Sequence, residues 1–196
     1  MGKGDFEETA LGGTPKVFVV AGPTAVGKGT VVRKLREAHS NLPLSISATT
    51  RPPREGEVHG VDYFFVSDAE FDELVAQDAL LEWARVHGNH RYGTPKQWVL
   101  DQGADGGPVL LELDLEGARQ VKQHLEDATT IFVAPPSWEE LERRLLGRGT
   151  EGAEEREKRL QTARTELAAQ EEFDVILIND DVERTAAALA SALGLD

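Results

Sequence analysis

Arg51 and Arg54 stand three positions apart within residues 45–65, SISATTRPPREGEVHGVDYFF, among small hydroxyl residues and prolines. Pro52 and Pro53 lack backbone donors and bias the residues before them away from helix, so the stretch reads as a loop. Two arginines on such a loop are fixed forks that grip a phosphate monoester through charge-assisted hydrogen bonds, where lysine offers only a point charge. Tyr63 and Tyr92 each add a phenolic donor. Alone, the pair reads more readily as solvated loop charge. What turns the reading is Gly22-Pro23-Thr24-Ala25-Val26-Gly27-Lys28-Gly29-Thr30 upstream, which has the spacing G-x-x-x-x-G-K. Backbone N–H groups of that loop and the helix N-terminus behind it form an anion cradle, with Lys28 near the β/γ phosphates. Two phosphate-binding elements imply two phosphorylated ligands facing each other.

After Lys28 comes Gly29, and the hydroxyl arrives one residue late, at Thr30. In a helix that shift turns the side chain by about 100°. Direct ligation of Mg²⁺ by Thr30 is therefore not assumed, and no protein ligand to a metal is assigned. The expected ion is held by waters and nucleotide phosphates.

These residues need a scaffold that brings loops together. KVFVVA (16–21) is a continuously apolar, β-branched run that reads as a buried strand, and Thr30–His39 has helical spacing with Val31, Leu35 and Ala38 on one face. Further strands are expected at Ser45–Ala48, Pro108–Leu113, Thr130–Val133 and Phe173–Ile178. Helices are expected at Asp68–Asp78, Gly117–Leu125, Trp138–Leu146 (with Ser137 as N-cap), Glu154–Glu172 and Val182–Leu193. Apolar strands alternating with helices imply α/β architecture, a parallel sheet covered on both faces. The Arg-, Pro-, Gly- and aromatic-rich block at 50–97 breaks that rhythm and reads as an inserted subdomain.

The 196 residues carry 35 acidic and 21 basic side chains, a formal net charge of −14. Such a chain is not built to wrap nucleic acid or to coat anionic lipid. Without cysteine it has neither disulfides nor thiolate metal sites, which suits a reducing compartment. No apolar run is long enough to span a bilayer, and the first fifteen residues have no apolar signal core, so they read as a flexible tail and the expected location is cytoplasmic.

Beyond these residue-level readings, the chain resembles the guanylate kinases. The motifs that carry the likeness are GPTAVGKGT (22–30), SISATTRPPREGEVHGVDYFF (45–65), LLEWARVHGNHRYGTP (80–95), VLLELDLEGA (109–118), PPSWEELERRLLGRGTE (135–151) and INDD (178–181). The likeness runs from about Lys16 to the C-terminus, and the 45–65 block is far more family-specific than the phosphate loop. It implies a P-loop core at 16–44, 98–138 and 165–196, a mixed α+β GMP-binding subdomain at 45–97 and a helical lid at 139–164, behind a tail at 1–15. It implies transfer of the γ-phosphoryl of ATP to GMP, and to dGMP, with Mg²⁺. By resemblance Arg51, Arg54, Tyr63 and Tyr92 hold the GMP phosphate, while Ser47, Glu82 and Thr94 read guanine, Glu82 being the main selector. Guanine offers adjacent N1–H and N2–H₂ donors that one carboxylate accepts together, and adenine would leave that carboxylate unpaired.

Glu112 and Asp114 alternate with Leu111 and Leu113, so both project from one side of a strand or its end, where α/β sheets bind ligands. Glu112 is read equally well as a strand cap. Asp114 is expected beside the acceptor or the metal's water shell. Resemblance assigns Arg144, Arg148 and Arg159 to a lid over the ATP phosphates, and Asn179 to the surroundings of the ATP base. In the plainer reading those arginines pair with neighbouring glutamates and Asn179 is a turn residue. Three departures stand out, the mildest being Thr24 where the family's loop usually has serine. Ala25 occupies a glycine position of the family's loop and forfeits cheap access to positive φ. Glu116 replaces a glutamine and adds negative charge near phosphates. Two other functions fit a weaker version of the pattern: a non-catalytic guanylate-kinase-like module that binds phosphopeptides, and a kinase of another nucleoside or sugar phosphate.

Overall fold

A computed structural model describes residues 14–86, 89–147 and 153–195. The first thirteen residues, assigned to the tail, lie outside that range. Strand β1 (Lys16–Ala21) has all but its first residue buried. Val20 contacts one core with Val31, Leu35, Leu110, Ile131 and Leu189. Val19 contacts a second core with Leu81, Val99, Leu111 and Val121. A strand buried on both faces must be apolar at every position, which is why KVFVVA does not alternate.

The main sheet has the order β6-β1-β7-β8, with β6 at Pro108–Glu112, β7 at Thr129–Ala134 and β8 at Val175–Ile178. Every pairing in it is parallel. Helix α1 (Lys28–Ala38) follows β1, and its buried residues are Val31, Val32 and Leu35. Ala38, expected on that face, is exposed because it sits in the last turn, beyond the packing surface. In α7 (Val182–Leu193), Asp181 caps the N-terminus and Leu189 and Leu193 are buried.

The block that breaks the sequence rhythm builds a second, mixed sheet of order β3-β2-β5-β4. Its strands are β2 (Ala48–Thr49), β3 (Phe64–Phe65), β4 (Leu80–Val86) and β5 (His90–Pro95). The strand expected at Ser45–Ala48 is corrected. Only Ala48 and Thr49 pair in this sheet, and the chain before them touches the main sheet through one bridge, Leu44 to Leu110. Helix α2 (Asp68–Ala76) begins with a full capping box, Ser67 and Glu70 satisfying each other's backbone donors, and buries Phe71. Helix α3 (Lys96–Gln102) leads back to β6.

Helix α4 (Leu115–His124) is capped by Asp114, and α5 (Trp138–Leu146) by Ser137, whose hydroxyl accepts the Glu140 N–H at 3.2 Å. A cap of this kind contributes about 1 kcal/mol. Helix α6 (Ala153–Ala168) ends in a 3₁₀ turn at Ala169–Glu172. Among the described residues no helix is long and apolar enough to cross a membrane.

Candidate active site

The loop between β1 and α1 folds as its glycines demand. Gly22 has φ +152, and a Cβ there would lie 2.3 Å from the Val133 carbonyl oxygen. Gly27, at φ +96, precedes Lys28, and a Cβ on it would meet the Asn179 amide at 2.7 Å. Ala25 is left-handed as well, with φ 66. The position does require positive φ, and an L-residue there costs roughly 1–2 kcal/mol. From outside the loop, Asn179 Nδ2 donates to the Val26 carbonyl at 2.8 Å and Arg144 Nη1 donates to the same oxygen at 3.0 Å. Asn179 is thus more than a turn residue: it is buried, and its Oδ1 has no hydrogen-bond partner among the described residues.

Lys28 Nζ donates to the Leu113 carbonyl at 2.6 Å. Burial pulls its pKa below the usual lysine value, against the opposing pull of Glu112, Asp114 and Glu166. These groups, with Thr24, Thr30 and the loop backbone, line a cavity of about 470 Å³. Glu166, on α6, has no mark in the sequence that separates it from the many glutamates of that helix. It accepts the Thr24 N–H at 3.2 Å. Burial pushes its carboxyl pKa up, and the Thr24 amide and Lys28 offset that in part.

β6 ends at Glu112, so Asp114 projects from just beyond the strand's end. Asp114 belongs to the start of α4, where its carboxylate accepts the Gly117 N–H at 2.7 Å. That is a helix N-cap, a role distinct from the strand cap weighed for Glu112. Both carboxylates still face the cavity, and Glu112 Oε1 lies 3.3 Å from where a Cβ on Gly29 would stand.

In the second sheet Arg51 is 8% exposed and almost fully engaged. Its Nη1 and Nη2 grip Glu57 at 2.9 and 2.8 Å, its Nη1 also donates to the Pro52 carbonyl, and its Nε donates to the Tyr92 hydroxyl at 3.2 Å. The Tyr63 ring centroid lies 5.3 Å from the guanidinium carbon, and Tyr63 meets Tyr92 edge to face. Arg54 is exposed, and its backbone N–H donates to Glu57 at 2.7 Å. Sequence reasoning missed Glu57. Its signal was the turn after Pro53, closed by the Glu57 N–H to the Arg54 carbonyl, which returns a carboxylate to the arginine six residues back.

Glu82 on β4 is buried, and its Oε1 accepts from the Thr94 hydroxyl at 2.7 Å. Burial drives its pKa up, the Thr94 bond draws it down and the Asp114 charge adds a further upward push. Its Oε2 lies 3.4 Å, and Asp114 Oδ1 3.2 Å, from where a Cβ on Gly117 would stand. Glu82 and Asp114 thus both border Gly117 at the head of α4, joining the second sheet to the phosphate cavity. Gln120 fixes that junction: it accepts the Trp83 N–H at 3.0 Å and donates to the Trp83 carbonyl at 3.2 Å. Ser47 is half-buried, its carbonyl accepting the Phe64 N–H.

Of the arginines assigned to a lid, Arg144 bonds Glu140 and the Val26 carbonyl. Arg159 on α6 lines a second cavity together with Thr24 and Leu145. Arg148 lies outside the described residues, beyond the end of α5 at Leu146. Glu116 pairs with Arg119 and is exposed.

A family model described as guanylate kinase matches residues 14–195. A guanylate kinase of Streptomyces kasugaensis is 60% identical over 169 residues, 86% of this chain and 82% of that protein. One from Thermobifida fusca is 59% identical over 167 residues, covering 85% of each. The crystal structure of guanylate kinase from Anaplasma phagocytophilum superposes with a TM-score of 0.68 at 33% identity, covering 94% of this chain and 88% of that one.

Proposed function

The chain belongs to the guanylate kinase family and is an ATP:GMP phosphotransferase, and from that premise we propose how its residues divide the reaction. The observation that carries the proposal is the buried Glu82–Thr94 pair set against Asp114 and Gly117, at the junction of the two sheets. Glu82 accepts the N1–H and N2–H₂ donors of guanine, and the hydroxyls of Ser47 and Thr94 complete the reading of the base. Arg51, Arg54, Tyr63 and Tyr92 hold the GMP phosphate. Arg51 arrives oriented, since Glu57 and Tyr92 fix its guanidinium before the ligand does.

The loop 22–30 cradles the donor's phosphates with backbone N–H groups, and Lys28 swings from the Leu113 carbonyl to the transferring group. Asn179 and Arg144 hold the loop through Val26. Arg144 and Arg159, with Arg148, supply positive charge as charge spreads over that group. Among the described residues no cluster of three or more His, Asp or Glu side chains is arranged to bind a metal directly. The carboxylates of Glu112 and Asp114, with the Thr30 hydroxyl, suit a Mg²⁺ held through its waters. When bound with the donor's phosphates, that ion would neutralise part of their charge. The attacking oxygen belongs to an already ionised phosphate, so positioning and electrostatics carry the rate without a general base. The domain limits given by resemblance, 45–97 for the acceptor part and 139–164 for the lid, belong to the same proposal.

A coupled assay with ATP and, in turn, GMP, dGMP, AMP and UMP tests the reading. Turnover is expected with the guanine acceptors, and Lys28→Ala is expected to lose orders of magnitude in GDP formation. Near-normal turnover by that variant would remove Lys28 from the mechanism.

A further inference from the structure

Glu166 is a carboxylate placed where an incoming phosphate wants a donor. It accepts the Thr24 N–H at 3.2 Å, one of the loop amides of the phosphate cradle, and it lines the same cavity as Lys28. Its helix, α6, packs against α5 and carries Arg159 seven residues earlier, on the same face. The charges acting on Glu166 are Lys28 from the start of α1 and Asp114 from the cap of α4, and Glu112 from β6 and Arg33 from α1 line the same cavity. Three carboxylates thus share the cavity with two cations, Lys28 and Arg33, a balance that opposes a polyphosphate. Glu112 and Asp114 are held on the sheet and the α4 cap. Glu166 alone of the three sits on a helix outside the sheet and bonds the loop through a single exposed hydrogen bond.

We propose that Glu166 is a surrogate anion: it occupies the Thr24 N–H and the field of Lys28 until the donor's phosphates displace it. It acts as a positioning residue that couples entry of the donor to release of α6. Displacement trades a carboxylate for a phosphate at the same amide. It also frees the face of α6 that carries Arg159, so the helix that leaves with a negative charge can return with a positive one. The proposal rests on the reading of the 22–30 loop as the donor-phosphate site. The donor's apparent affinity is set against this internal competitor, and the acceptor's is not.

Isothermal titration of the full chain with inorganic pyrophosphate, in the absence of divalent metal, reads the competition directly. Glu166→Gln keeps the size and an acceptor for the Thr24 amide but removes the charge, and Glu166→Ala removes both. Both variants are expected to bind pyrophosphate more tightly, by about tenfold, as expected for removing a like charge near the ligand in a partly screened cavity. KM for ATP is expected to fall in parallel while KM for GMP stays where it was. Tightening of less than threefold, or weaker binding, in the Gln variant overturns the proposal, since a merely structural tie would leave Gln like Glu or loosen the site. Lys28→Ala separates the premise from the inference. If that variant binds pyrophosphate as the unaltered chain does, the loop is not the phosphate site; if it loses binding while Glu166→Gln fails to gain it, only the surrogate role falls.

Discussion

Replacing Glu82 by glutamine should break guanine selection and stabilise the fold at the same time. Glu82 is 7% exposed and commits Oε1 to the Thr94 hydroxyl at 2.7 Å, which leaves Oε2 for a ligand's donors. If the glutamine keeps its carbonyl toward Thr94, its NH₂ faces the N–H groups of guanine. That geometry loses a charge-assisted hydrogen bond of about 1.5–3 kcal/mol and buries donors without acceptors at about 1–3 kcal/mol more. If the amide flips, Thr94 accepts from it, and a single carbonyl oxygen then meets one of two guanine donors. Only the first loss applies, about ten- to a hundredfold. The expected fall in kcat/KM for GMP is therefore at least tenfold and reaches about 10⁴-fold in the unflipped case. AMP falls less, because an amide pairs with the donor and acceptor of adenine, so the GMP/AMP ratio narrows.

Stability moves the other way. The folded carboxyl pKa is raised, chiefly by burial, so the native state holds its proton over a range where the unfolded chain has lost it. Stability then falls as pH rises from the ordinary carboxylate value through the raised one, and stays lower above it. Glu82→Gln removes that loss, so its melting temperature should exceed that of the unaltered chain at pH 8, with the gap closing as pH falls toward 4. A change in kcat/KM for GMP below threefold would refute the selector role. A lower melting temperature at pH 8 would refute the buried-charge account.

Two further perturbations probe the same site. Glu57→Gln should raise KM for GMP roughly tenfold, the scale of one oriented charge-assisted hydrogen bond, and leave KM for ATP unchanged. Arg51 and the Arg54 amide hold the Glu57 carboxyl below its usual range, so the pairing persists above the ordinary carboxylate pKa and fails as pH falls through the depressed one. The KM for GMP should therefore show an acid rise that the variant lacks. Ala25→Gly relieves roughly 1–2 kcal/mol of left-handed strain and loosens the unfolded chain by about 0.4–1 kcal/mol. Thermal melts should show no change or a rise of a few degrees, and a fall would mean that φ at this position is not positive.

What could be read from sequence followed the range of the forces involved. KVFVVA and the Ser137 cap are local patterns, and both appear as expected. Ser45–Ala48 looked like a strand because of its composition. Pairing is decided by a partner far along the chain, and β5 takes Ala48 and Thr49 instead. Alternation placed Glu112 and Asp114 on one side of a strand or its end, and nothing in LELDL announces that the strand stops at Glu112 and that Asp114 caps the next helix. Glu57 and Glu166 escaped notice for a related reason. A carboxylate's role depends on which cation or amide the fold brings to it, and Glu166 is one glutamate among many in its helix. Ala25 was a different case: its residue type posed the question of positive φ, and only the backbone answers it, at φ 66.

The contact of Gln120 with both backbone groups of Trp83 bears on how this enzyme can be re-engineered. Residues 45–97 look like a cassette that could be exchanged for another acceptor module. Yet Glu82, proposed to read the base, lies on a strand held in register by a side chain of α4, and its Oε2 comes to 3.4 Å from where a Cβ on residue 117 would stand. A transplanted cassette would meet a foreign Gln120 or a crowded position 117, and its selectivity would drift although every residue inside it was native. A working graft must carry the head of α4 with it.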